Sequence, residues 1–302
     1  MKVEDSRLDW TFAYENDPGM PDFVIGGLPP GRVGMLVSAG GTGKTFLSLQ
    51  IAMTVARPSL YEWPVGDGIF PTPPGAGPVL ALFAEETRAT LHRRMHDLAH
   101  HAAFEFGDNI GAALDAWDER CMVQPLAGMV PTLVDRNGNT TDTYKRLIRA
   151  AEGCRLVILD PLSRFHQLDE NDNIQMTLLV QHLEGIARAT GAAILVCHHA
   201  NKTSLGTDDA GQQAAARGAS ALVDGVRYVV NMRTMTRQEA RGRWGDEDVN
   251  LERKSWVWIE ESKVNYGGHG VACWARRDAG GVLVRDEPPA PQKQDGKRVC
   301  DV

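Results

Sequence analysis

Ser38-Ala-Gly-Gly-Thr-Gly-Lys-Thr45 is the stretch on which the reading of this chain turns. It follows the pattern G-x-x-x-x-G-K-[ST] at every position but the first, where Ser38 stands in place of Gly. An apolar run, Arg32–Val37, precedes it, and a segment of helical pattern opens at Thr45. Gly40, Gly41 and Gly43 let the backbone curl until its N–H groups point at phosphate oxygens, with Ser38 and Thr42 completing the loop. Lys44 supplies a point charge to β- and γ-phosphates, and the Thr45 hydroxyl suits Mg²⁺.

Outward from this loop, short Val/Ile/Leu-rich runs recur at Val33–Val37, Val79–Phe83, Leu156–Leu159 and Ala193–Cys197. They do not alternate polar with apolar, which is the pattern of strands buried on both faces of a parallel sheet. Helical stretches separate them at Thr45–Ala56, Thr87–Phe104, Asp142–Glu152 and Asn173–Ala189. Alternation of this kind predicts an α/β fold with a mainly parallel central sheet flanked by helices. From Val226 the pattern turns aromatic and β-favouring, at Val226–Met232, Trp256–Glu260, Val271–Ala275 and Val282–Val284. These read as late antiparallel strands that extend the same sheet. The expected organisation is an arm over 1–21, one nucleotide-binding domain over 22–285 and a mobile tail over 286–302.

Composition narrows the class. Of 302 residues 43% are hydrophobic and 24% charged, which excludes disordered, collagenous and coiled-coil chains. The five Cys are far apart with no Cys-x-x-Cys pair, so neither a zinc knuckle nor a disulfide scaffold is expected, and a reducing cytoplasm is. Met1–Met20 has no apolar run and does not read as a signal peptide; no stretch reads as a membrane span. A net charge of −7 argues against wholesale coating of nucleic acid but leaves room for a local basic channel.

Three further strand ends complete a candidate site. Arg155-Leu-Val-Ile-Leu-Asp160 ends in a carboxylate where a parallel sheet meets its ligand, so Asp160 is expected in the Mg²⁺ shell opposite Thr45. Val79-Leu-Ala-Leu-Phe-Ala-Glu85-Glu86 ends in two acids; Glu85 is expected to activate water, with Glu86 the runner-up. Ala193-Ile-Leu-Val-Cys-His198-His199 delivers two histidines to the same edge. Successive strand residues face opposite ways, so one of the two is expected to hydrogen-bond the γ-phosphate or the attacking water. His92, His96 and His100 share a helix face without a completing ligand, and Trp244, Trp256, Trp258 and Trp274 read as core or subunit interface rather than base-stacking residues.

The order of these motifs resembles the RecA-like core of RepA-type plasmid replicative hexameric helicases. The likeness runs from about Asp22 to Leu283 and rests on Val37–Thr45, Gly77–Glu85, Gln124-Pro-Leu-Ala-Gly128, Leu159-Asp-Pro-Leu-Ser-Arg-Phe-His166, His198-His-Ala-Asn-Lys202, Arg217-Gly-Ala-Ser220, Ser262-Lys-Val-Asn-Tyr-Gly267 and Gly280–Leu283. The resemblance implies a homohexameric ring that hydrolyses ATP with Mg²⁺ at subunit interfaces and moves on single-stranded DNA during plasmid or phage replication, beside separate initiator and primase proteins. It implies that Glu85 is the base and that Arg217 is a finger placed in the neighbouring subunit's site, with Lys263 a second such cation. Loops Ser163–Asn173 and Ala200–Ala216 then face DNA through Arg164, Phe165, His166 and Lys202. A RecA-like DNA-binding ATPase without unwinding, or a nucleotide-dependent loading factor, are the alternatives.

Overall fold

The computed structural model describes residues 9–19, 21–58, 68–199, 220–245, 249–267 and 270–292. In chain order the elements are α1 (Trp10–Glu15), β1 (Val33–Ser38), α2 (Lys44–Val55), β2 (Val79–Phe83), α3 (Arg88–Phe106), α4 (Ile110–Arg120) and β3 (Cys121–Pro125). There follow α5 (Asp142–Ala150), β4 (Leu156–Asp160), α6 (Asn173–Thr190), β5 (Ala193–His199), α7 (Ser220–Gly225) and β6 (Tyr228–Thr234). The last are α8 (Arg237–Trp244), α9 (Val249–Ser255), β7 (Trp256–Val264), β8 (Ala272–Arg277) and β9 (Leu283–Arg285).

The strands form one sheet in the order β3-β2-β4-β5-β1-β6-β7-β8-β9. Strands β1 and β4 are buried at every residue, as the unbroken apolar runs predict. Helices cover both faces. Leu47, Ile51, Leu91 and Leu98 of α2 and α3 pack on one, and Leu147, Leu179, Leu183 and Leu222 of α5, α6 and α7 on the other. Asp172 caps α6 by accepting from the N–H groups of Ile174 and Gln175, and Gly191, at φ 73°, ends it.

The late strands extend the same sheet, as expected, but β6 pairs with β1 in parallel, whereas Val226–Met232 reads as antiparallel in sequence. The connection over 200–227 is long enough for a crossover, and α7 packs on the α6 face and returns the chain in the same direction. Reversal begins only at β7. Strand β3 and helix α4 have no counterpart in the sequence pattern. Cys121–Pro125 is a half-exposed edge strand whose apolar run stops after three residues at Gln124 and Pro125. The tail expected to be mobile from 286 stays on the fold as far as Gln292, whose amide groups donate to Gly242 O and Arg243 O. Trp256 and Trp274 are buried in a satellite core, with Trp244 and Trp258 packed against it. No helix among the described residues is long and apolar enough to cross a membrane.

Candidate active site

The C-terminal ends of β1, β2, β4 and β5 line one edge of the sheet, and a cleft of about 310 Å³ opens there. The turn between β1 and α2 holds Gly41 at φ 76° and Gly43 at φ 108°, a backbone region that residues with a Cβ rarely adopt. Nothing lies within 4 Å of where a Cβ on Gly40 or Gly41 would be, so there is open space beside both. Lys44 is 5% exposed, and its Nζ donates to Ser38 O at 3.0 Å, Ser38 Oγ at 3.0 Å and Ala39 O at 3.3 Å. Burial holds the ammonium below its usual pKa, with Cys197, Asp160 and Glu85 acting in the opposite sense.

Asp160 sits where β4 delivers it, and Thr45 Oγ1 donates to its Oδ2 at 2.9 Å. Burial pushes this carboxyl upward, and Glu85 and Glu86 add repulsion. The register sets Phe83 of β2 beside Asp160, and Ala84 N donates to Asp160 O at 2.7 Å, which carries Glu85 and Glu86 to the same edge. Both acids line the cleft, but with different partners. Arg164 Nε donates to Glu85 Oε1 at 2.8 Å, whereas Arg94 Nη1 donates to Glu86 Oε1 at 2.7 Å.

The two histidines divide as strand geometry requires. Register places His199 opposite Ser38, and its Nδ1 lies 3.1 Å from Lys44 Nζ on the cleft wall. His198 points into the molecule, 9% exposed, and burial lowers its pKa to about 4. His199, the one left on the phosphate side, is lowered by burial and then by Lys44, with Glu85 acting the other way.

Several expected DNA contacts fall elsewhere. Arg164 is exposed, but Phe165 is 1% exposed in the core under β4, and His166 is 8% exposed with its pKa brought to about 4 by burial. The cause is local. Leu133 N donates to Phe165 O at 2.7 Å, and Val134 bridges to His166, so the loop folds back onto the body and turns both rings inward. These two residues are corrected from DNA contacts to core. Lys263 lies at the far end of the sheet, where its Nζ donates to Val223 O at 3.1 Å and Asp224 O at 2.8 Å at the end of α7. There it caps the end of α7. Arg217 and Lys202 lie outside the described residues. Among the described residues no group of three or more His, Cys, Asp or Glu is placed to hold a metal.

Phe46, Arg94 and Arg277 also line the cleft, and sequence reasoning missed all three. Phe46 follows the motif directly and was legible as the next residue of α2. Arg94 lies over its ring, 5.4 Å from the centroid. Nothing local marks Arg277, 232 positions beyond Thr45 in sequence.

The residues fit a magnesium nucleotide. A hydroxyl and a buried carboxylate are paired hard oxygen donors, and Mg²⁺ is ordinarily held by one or two such groups plus phosphates and water. The open cradle and the buried ammonium are matched to phosphate oxygens. Fold and site together define a RecA-like P-loop ATPase. The chain belongs to the AAA domain family AAA_25, whose model matches residues 3–204. A DnaB-like replicative helicase, described with its interactions with primase, is similar in structure at TM-score 0.55 and 13% identity, covering 94% of this chain and 70% of that one. A KaiC-like protein from the hyperthermophilic archaeon Pyrococcus horikoshii OT3 is similar at TM-score 0.50 and 14% identity, covering 90% and 98%. A RadB recombinase matches at TM-score 0.47 and 13% identity over 86% and 93%. At these identities the likeness is one of fold.

Proposed function

We propose that this ATPase is a replicative DNA helicase of plasmid or phage type, a homohexameric ring that draws single-stranded DNA through its hole as ATP is hydrolysed. The observation that carries the reading is the ion pair between Glu85 and Arg164. It joins the group assigned to activate water to an exposed cation on the loop expected to face DNA. A polyanion drawn to Arg164 competes directly with Glu85, so DNA occupancy and hydrolysis share one side chain.

In the reaction, Lys44 holds the β- and γ-phosphates and the P-loop N–H groups fix their orientation. Glu85 takes a proton from the attacking water, whose oxygen bonds to the γ-phosphorus while the bond to the ADP oxygen breaks. Bound Mg²⁺ would be held by Thr45 and Asp160 and would neutralise developing phosphate charge. His199, beside Lys44, is placed to hydrogen-bond the γ-phosphate. Arg217 reaches the site from the neighbouring subunit and stabilises transition-state charge.

The test measures hydrolysis with and without single-stranded DNA, then displacement of a labelled strand from a forked duplex, with mass recorded in the presence of a non-hydrolysable ATP analogue. DNA-stimulated hydrolysis, strand displacement and a six-fold mass are expected. Stimulation without displacement would leave a DNA-binding ATPase. Hydrolysis indifferent to DNA would favour a loading factor and overturn the helicase reading.

A further inference from the structure

We propose that Arg277 is a nucleotide-binding residue that contacts the phosphates in its own subunit; this rests on the nucleotide site argued above. Arg277 ends β8, and three geometric facts place it. Two reversals after β6 bring the C-terminal end of β8 back to the edge where the P-loop lies. Its Nη2 donates to Gly41 O at 3.1 Å and to Thr42 O, and its Nε donates to Lys254 O at 3.0 Å. Nη1 has no partner among the described residues and lies 3.1 Å from where a side chain on Gly43 would begin.

Charge separates Arg277 from the other arginine of the cleft. Arg94 is neutralised by Glu86 at 2.7 Å. Arg277 meets only carbonyl oxygens, and no carboxylate pairs with it among the described residues. It is a half-buried guanidinium with one free edge, turned toward the loop built to receive anions. Burial also lowers its pKa, as expected of a cation without a counter-ion. Its position is braced. Gln50 Nε2 donates to Leu283 O at 2.8 Å and Leu283 N donates to Gln50 Oε1 at 3.1 Å, which ties β9 to the P-loop helix. The ligand that satisfies such a group is a nucleoside di- or triphosphate, and the guanidinium adds to Lys44 a second, fixed positive charge.

The experiment measures ADP and ATP affinity of the full chain in magnesium-free buffer over a range of salt, for wild type, Arg277→Gln, Arg277→Lys and Lys44→Ala. Loss of one charge-assisted contact weakens binding roughly ten- to hundredfold in Arg277→Gln, with a shallower salt dependence. Arg277→Lys keeps the charge and is expected to keep the steep salt dependence and most of the affinity. Arg277→Gln binding as wild type does would overturn the inference. So would an equal loss in both Arg277 variants with unchanged salt dependence, because that is the signature of a strap on the P-loop carbonyls alone. If Arg277→Gln does not fold, the guanidinium ¹⁵N resonance that is missing from Arg277→Lys identifies Arg277 in the wild type; its shift on ADP binding is expected, and a resonance that ADP does not move would overturn the inference. Wild-type protein that binds neither nucleotide would overturn the site itself, a result separable from failure of Arg277 alone.

Discussion

One wall of the cleft is made of strand ends that neighbour one another in the sheet; the other is made of Phe46, Arg94 and Arg277, brought from α2, α3 and β8. On the first wall each functional group stands where an apolar run stops. Lys44, Glu85, Asp160 and His199 follow β1, β2, β4 and β5 or close them; Lys44 meets His199, Asp160 meets Thr45, and Glu85 meets Arg164 of the loop after β4. On the second wall Phe46 adjoins the motif, but no local signal marks Arg94 or Arg277, and Arg277 is placed by strand pairings remote from the P-loop. The difference teaches that chemistry attached to a strand end can be read from a short window of sequence. Chemistry set by the parity of later strand reversals cannot.

The comparison breaks first, and most visibly, at the two acids. Glu85→Gln is expected to bind ATP and lower turnover by roughly 10²–10⁴, because the amide accepts no proton. Glu86→Gln, which loses its partner Arg94, is expected to change turnover by a few-fold only. Single-turnover hydrolysis of both variants checks this, and a reversed order would move the base to Glu86.

A smaller effect belongs to the two histidines turned away from the cleft. His166 and His198 are held near pKa 4 by burial, below the ordinary 6.5. Above pH 6.5 both are neutral folded and unfolded, so they contribute nothing to the pH dependence there. As pH falls through 6.5 the unfolded chain takes up protons that the folded chain refuses until about 4, and stability is lost across that window. The loss approaches about 3 kcal/mol per histidine at the acid limit, an order-of-magnitude figure. Urea midpoints at pH 7, 6 and 5 are expected to fall more steeply for wild type than for a His166→Asn, His198→Asn double variant. Parallel profiles would contradict the burial argument.

The smallest effect belongs to the second wall. Gln50→Ala leaves the buried Leu283 amide and carbonyl without partners, at a cost of about 1–3 kcal/mol. A thermal melt reads this, together with weaker ADP binding as β8 and β9 loosen. Unchanged stability would mean that β9 is held by its strand pairing alone.

The parallel sheet was legible because Val33–Val37, Val79–Phe83, Leu156–Leu159 and Ala193–Cys197 are apolar without alternation, and observed strands cover all four. The direction of β6 was not, since a strand buried in either sense has the same composition. Phe165 shows the opposite failure. An aromatic flanked by Arg164 and His166 reads as a stacking residue, and only the backbone contacts to Leu133 and Val134 turn it inward. Of the two histidines, alternation along β5 required that they face opposite ways, but which one met the phosphate side depended on the register with Ser38.

The tie between Gln50 and Leu283 has a consequence for the order in which the molecule is made. The P-loop helix emerges from the ribosome early, yet its buried amide finds its partner 233 residues later. Lys44 and Thr45 likewise wait 155 and 115 residues for His199 and Asp160. Contacts of such separation close late and slowly, because the intervening chain must be ordered first. Until β8 and β9 are synthesised, the nascent cleft lacks Arg277 and the tie that braces it, and it is complete only once nearly all of the described sheet is in place.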